Sequence, residues 1–239
     1  MTGTLYVVAT PIGNLQDLSP RALEVLRAVD AIASEDTRTT VKLLSHFEIR
    51  KPLIAYFQHS GERREDEILD RLSRGESIAL VSEAGTPGVS DPGAAIVARA
   101  HEKGIPVRAI AGPSSVAAAL SVSGFGGDRY LFEGFLPRKP GKRRKALKAL
   151  AGEERTLVFF ESPHRVIDTL EAMVEALGDR PCCIARELTK LYEEVARTTI
   201  AKALADYQKR EPRGEFTIVV EGKSGGNEGR RKETPDDLG

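Results

Sequence analysis

The chain has 239 residues, 41% hydrophobic and 29% charged, and its 35 lysines and arginines balance 35 aspartates and glutamates. A net charge of zero names no partner, and a prior of roughly 100 to 200 residues per domain allows one large domain or two smaller ones. No apolar run reaches the roughly 18 residues of a membrane span, and the opening MTGT lacks the blocks of a signal peptide, so a cytoplasmic protein without a membrane partner is expected.

Short apolar runs alternate with helical patterns from the start: LYVVA then SPRALEVLRAV, DAIAS then RTTVKLLSHF, PLIAYF then GERREDEILDRLSRG, SIALVS then DPGAAIVARAHEKG, PVRAIA then PSSVAAALSVSG. Strands alternating with helices predict βαβ units and a mostly parallel sheet. Glycines cluster in FGGDR, and a second set of runs follows: YLFEGFL, TLVFFE, CCIARE, EEVARTTI and EFTIVVEG. The fold class is therefore α/β with two domains, over residues 1–123 and 124–222. Residues 223–239 have no apolar periodicity and read as a disordered tail. Cys182 and Cys183 are adjacent in an apolar stretch, which fits buried thiols rather than a metal site or a disulfide.

In an open α/β sheet, ligands bind beyond the carboxyl ends of the strands. The loops expected there are TPIGN, EDTR, YFQHSGE with His59, EAGTPGVSDPG and AGPSS. TPIGN has only Gly13 where a dinucleotide fingerprint needs three glycines, and no P-loop lysine follows. Pro11 fixes its own φ and biases Thr10 toward an extended backbone, which gives a stiff lining rather than a pyrophosphate wrap. Ser19 and Pro20 form an N-cap and first-turn pair, and Asp91 with Pro92 predicts another. In FFESPHRVIDTL, Ser162 and Pro163 predict a helix start that leaves Arg165 in the first turn. The helix dipole disfavours a cation there, so Arg165 is a candidate for an anion such as an RNA phosphate. ARELTKLYEE leaves Arg186, Glu187 and Lys190 at a strand end, where a surface ion-pair cluster is the simpler reading.

Arg138, Lys139, Lys142, Arg143, Arg144, Lys145 and Lys148 stand together with no acid among them. A solvated helix face is the usual fate of such a run, but a concentrated basic block in a neutral chain is also the footprint of a nucleic-acid binder. Without interleaved aromatics it would grip backbone rather than read bases.

Taken together, LYVVATPIGNLQDLSPRALEVL, ASEDTR, LVSEAGTPGVSDPG, AGPSSV, FEGFLPRK, FFESPHR and ARELTKLYEE resemble the bacterial 16S rRNA cytidine 2'-O-methyltransferases, the small-subunit rRNA methyltransferase I branch of the tetrapyrrole methylase superfamily. The resemblance implies two α/β domains with an inter-domain cleft, S-adenosylmethionine as cofactor, 16S rRNA or the small ribosomal subunit as partner, and a homodimer. It implies cofactor contacts at Pro11, Gly85, Thr86, Pro87, Val89, Ser90, Asp91, Ser114 and Ser115, and at Phe160, Ala185 and Glu215. The reaction it implies is methylation of a cytidine ribose 2'-oxygen in the decoding region. Catalysis then falls to Glu161, Glu187, Arg186 and Lys190, and RNA contact to Arg38, Arg165 and the basic block from Arg138 to Lys145. One departure is Glu83, which extends by one methylene the charge of the aspartate expected before AGTP. Methylation of a tetrapyrrole-type small molecule in the same cleft, and a non-catalytic RNA-binding module, are the alternatives.

Overall fold

A computed structural model describes residues 2–57 and 61–223. The chain divides into two compact units, Met1–Ser115 and Val116–Gly239.

The first unit holds strands β1 (Leu5–Val8), β2 (Ala31–Ser34), β3 (Leu53–Ala55), β4 (Ile78–Val81) and β5 (Val107–Ile110), all parallel, in the order β3-β2-β4-β1-β5. Its helices are α1 (Pro20–Ala28), α2 (Thr37–His46), α3 (Gly61–Ser73) and α4 (Ala94–Glu102). Strand residues alternate between the two faces, as the period of two requires. Ile32, Ala79 and Val81 pack with Leu26 of α1 and Leu44 of α2, while Ala33, Ile78 and Leu80 pack with Leu69 of α3 and Ile96 of α4. Each fully buried leucine or isoleucine contributes about 1.5 to 3 kcal/mol relative to exposure. The connection leaving β4 thus runs to the opposite face from those leaving its neighbours β1 and β2. That makes the end of β4 the switch point at which a crevice opens.

Helix α1 starts as its residues predict, with Ser19 Oγ accepting from Ala22 N–H at 3.1 Å and Pro20 in the first turn. Helix α4 does not. It starts at Ala94 behind Gly93, whose φ of 143° suits only glycine, and no side chain caps it. Asp91 and Pro92 remain in the preceding loop, where the Asp91 carboxyl lies near the Ser82 hydroxyl instead of capping a helix.

The second unit holds β6 (Tyr130–Phe135), β7 (Thr156–Glu161), β8 (Pro181–Arg186), β9 (Glu194–Thr199) and β10 (Phe216–Val220) in the order β6-β7-β10-β8-β9. β6 and β7 are parallel and the other pairs antiparallel. The carboxyl ends of β6, β7 and β8 therefore share one edge with the start of β10. Helices α6 (Pro140–Ala149), α7 (Val166–Leu177) and α8 (Ile200–Tyr207) cover one face, around Phe159, Leu170 and Ile218. On the other face, Val116, Ala119 and Leu120 of α5 (Ser115–Ser123) pack on Val158, Cys183, Ala185 and Val219. The division thus falls at the start of α5, where the sequence pattern put it after residue 123.

Cys182 and Cys183, both free and buried, belong to opposite faces of β8, and burial pushes the Cys182 thiol up to about 12. Helix α7 begins at Val166 with Arg165 as its N-cap residue. Ser162 and Pro163 form a turn ahead of it, in which Ser162 O accepts from both Arg165 and Val166 N–H at 3.1 Å. The expected tail overlaps the described residues only at Lys223, whose N–H donates to Glu153 O at 2.7 Å.

Candidate functional site

In the first unit, parallel pairing brings TPIGN, EDTR, EAGTPGVSDPG and AGPSS to one sheet edge. His59 lies outside the described residues. The first and third of these loops are tied together: Thr10 N–H donates to Gly85 O at 2.8 Å, and Gly85 N–H donates to Thr10 O at 3.0 Å. Thr10 Oγ1 also donates to Ser82 O at 3.3 Å, and Thr86 Oγ1 donates to Pro113 O at 3.2 Å. Gly85 takes φ 80°, and a Cβ there would stand 3.4 Å from Ile12 Cγ2. TPIGN is stiff because its backbone is one half of a bonded pair, with Pro11 buried beneath it. Ser90 in the long loop is a non-glycine residue at φ 64°, a strained backbone of the kind that collects at ligand loops.

Carboxylates crowd this edge. Burial, then Glu35, then Glu83 push the Asp91 carboxyl up to about 6, against the pull of the Ser82 hydroxyl. Burial, Glu83 and Asp36 raise Glu35 in the same way. Arg38, whose side chain is 87% exposed, pairs with its neighbour Asp36 at 2.9 Å. Among the expected cofactor residues, Gly85 and Pro87 are buried, Thr86, Asp91, Ser114 and Ser115 are half-buried, and Val89 and Ser90 are exposed. Between the β1 loop, α2 and the end of β4 lies a cavity of about 230 Å³. Thr39, Lys42 and Leu43 line it, although in the sequence they read only as helix.

The edge of the mixed sheet is different, because its charges are paired. Glu161 is 2% exposed and accepts from Ser162 N–H at 2.8 Å and Thr169 Oγ1 at 2.7 Å. Arg165 Nη2 lies 3.3 Å from it and donates to Leu136 O at 2.6 Å. Arg165 therefore turns inward to a buried carboxylate rather than outward to a phosphate, and the oxygens of Glu161 hold the start of α7. Arg143, expected with the RNA-facing block, is 5% exposed and pairs with Asp168 at 3.4 Å. Its place one turn before Leu147 puts it on the packed side of α6.

Arg186 Nε pairs with Glu194 at 3.0 Å and its Nη1 donates to Arg213 O at 3.2 Å. Lys190 Nζ bridges Glu187 and Glu215, both at 2.8 Å. Burial opposes ionisation of Glu187, yet Lys190 and the Glu215 amide hold its carboxyl below the usual range. Glu187 (φ 51°) and Thr189 (φ 66°) are both strained. Gly214, at φ 84°, leaves the space that the Glu187 side chain fills, and a Cβ there would overlap it. Phe160 and Ala185 stand on either side of Thr217 in the ladder, and Phe132 and Phe135 meet Phe160 edge-on at 4.8 and 5.6 Å.

A family model described as Tetrapyrrole (Corrin/Porphyrin) Methylases matches residues 4–204. This chain belongs to that family. The methylase is 47% identical over 222 residues to "Ribosomal RNA small subunit methyltransferase I" of Thermotoga maritima, a match covering 92% of this chain and 99% of that protein. It is 48% identical over 223 residues to the protein of the same name in Escherichia coli O157:H7, covering 92% of this chain and 78% of that one. Among solved structures it is similar to diphthine synthase, with TM-score 0.71 and 18% identity over 92% of this chain and 90% of that one. It is likewise similar to the methyltransferase CobJ, with TM-score 0.70 and 18% identity over 93% and 95%. These structural likenesses establish the methylase fold. Among the described residues, no helix is long and apolar enough to cross a membrane, and no group of three or more potential metal ligands forms.

Proposed function

We propose that this methylase transfers the methyl group of S-adenosylmethionine to the ribose 2'-oxygen of a cytidine in the decoding region of small-subunit rRNA. The observation that carries this reading is the match, over 92% of this chain, to bacterial relatives named for ribosomal RNA methylation.

The first unit offers residues that suit the cofactor. Pro11, Gly85, Thr86, Pro87, Val89, Ser90 and Asp91, with Ser114 and Ser115, form a rigid rim. The Glu35, Glu83 and Asp91 carboxylates favour a ligand that carries sulfonium and ammonium charges. When bound, S-adenosylmethionine supplies an electrophilic methyl group. The chain's task is then largely to align the hydroxyl, since alignment alone is worth roughly 7 to 11 kcal/mol in favourable cases. We assign the proton-accepting role to Glu187, whose bonds from Lys190 and the Glu215 amide both fall on Oε1 and leave Oε2, rather than to Glu161, both of whose oxygens accept bonds, and Arg186 and Lys190 fix the loop that carries Glu187.

RNA backbone contact belongs to Arg38, Arg138, Lys139, Lys142, Arg144 and Lys145, joined by Lys148. Lys142, Lys145 and Lys148 recur every third residue on the exposed side of α6 and form no ion pair among the described residues. Arg144 reaches Glu175 at 2.9 Å on the surface, a contact a phosphate readily replaces. The carboxylates of the first unit disfavour an acidic macrocycle as substrate. We further propose that the chain works in the bacterial cytoplasm as a homodimer, which light scattering would report directly.

The deciding experiment supplies labelled S-adenosylmethionine and small ribosomal subunits from cells lacking this protein, then maps ribose methylation. One labelled cytidine in the decoding region is expected. Cofactor binding without label in RNA would overturn the rRNA assignment and direct the search to tetrapyrroles.

A further inference from the structure

We infer that the cavity between the β1 loop and α2 is the subsite for the target cytosine base, unstacked from its strand. The inference rests on the rRNA reading above and adds how the nucleotide is chosen. At about 230 Å³ the cavity falls below the roughly 300 to 1,000 Å³ of sites for drug-sized ligands, so it suits one planar heterocycle rather than a whole cofactor. Pro11, Leu15 and Leu43 give it apolar walls that match the faces of a ring. At its rim stand Glu83, exposed at the end of β4 and within the field of Arg38, and Lys42, exposed on α2, neither side chain with a hydrogen bond or ion pair among the described residues.

A carboxylate in such a place accepts from the exocyclic amine of cytosine. The same carboxylate meets the O4 lone pairs of uracil with repulsion, so one side chain both selects and rejects. Lys42 supplies a cation for the base O2 or the adjoining phosphate. Sequence-specific RNA recognition generally works on unstacked bases held in this way. The cavity opens at the switch-point edge, beside the loop to which the cofactor contacts are assigned, as a subsite for the reacting nucleotide requires.

The test uses the full chain with small subunits reconstituted from rRNA carrying either cytidine or uridine at the labelled position, read as single-turnover methyl transfer, with cofactor affinity measured alongside by calorimetry. Wild type is expected to favour cytidine by about 10- to 100-fold, the range of one good polar base contact. Glu83→Gln, which is able to donate to O4, is expected to shrink that preference by about tenfold. Thr39→Phe lies on the exposed side of α2, fills the cavity without touching the core, and is expected to slow transfer to cytidine by about tenfold with cofactor affinity unchanged. An unchanged preference in Glu83→Gln overturns the inference. Cofactor affinity falling in step with transfer in Thr39→Phe also overturns it, by giving the cavity to the cofactor. Wild type that labels no RNA removes the rRNA reading itself, an outcome distinct from both.

Discussion

The two sheet edges treat charge in opposite ways. At the end of the parallel sheet, Glu35, Glu83 and Asp91 stand close and form no ion pair among the described residues, and burial, then their mutual repulsion, raises Glu35 and Asp91. At the end of the mixed sheet, Glu187, Glu194 and Lys190 are held ionised by partners. An uncompensated edge is primed to receive a cationic ligand, whereas a compensated one spends its charges on holding a strained loop. The contrast teaches that a charged residue at a strand end says little until its partners are known.

Four variants would break or sharpen this contrast. Glu161→Ala removes the buried partner of Arg165 and the acceptor of Thr169, and unfolding in urea should show a loss of about 3 kcal/mol. If stability instead held while methyl transfer vanished, Glu161 would return to the chemistry. Gly214→Ala forces a Cβ into the Glu187 side chain at a left-handed φ. It should cost about 2 kcal/mol and slow transfer with little change in cofactor affinity. Replacing Lys142, Lys145 and Lys148 with alanine should weaken RNA binding about tenfold and lower the salt slope by about 2. An unchanged slope would place the RNA elsewhere.

The smallest effect concerns Asp91. Its carboxyl is raised from 3.8 to about 6, so the folded chain holds a proton in that window that the unfolded chain has released. Stability therefore falls as pH rises from 3.8 to about 6, and the loss is complete above that. Asp91→Asn should gain about 1 kcal/mol at neutral pH, a value discounted for its partial exposure, and nothing in strong acid. The same substitution should weaken binding of the cationic cofactor above pH 6 and flatten its pH dependence. Unfolding curves and calorimetry at acidic and neutral pH check both halves.

The strands, the helices on either face and the loops at the parallel edge were legible in the sequence, because periods of two and 3.6 follow from backbone geometry. The start of α1 was legible from Ser19 and Pro20 alone. The start of α4 was not, because Gly93 takes a backbone angle that residue type permits but does not demand. Arg143 was misread as exposed, although Leu147, one turn later, marks its side of α6. The bonding of Arg165 and Glu161 was not legible, because their partners, Leu136 and Thr169, come from other elements, and only packing reveals such meetings. Thr39, Lys42 and Leu43 gave no sign in the sequence of lining a cavity.

The paired amides of Thr10 and Gly85 act as a ruler. Each is counted off from the end of its own strand, so an insertion in either stretch would slip the pairing by a residue and turn the following side chains to the wrong side. Side chains around the pair can therefore be exchanged without moving the loops, whereas a change of spacing would move them.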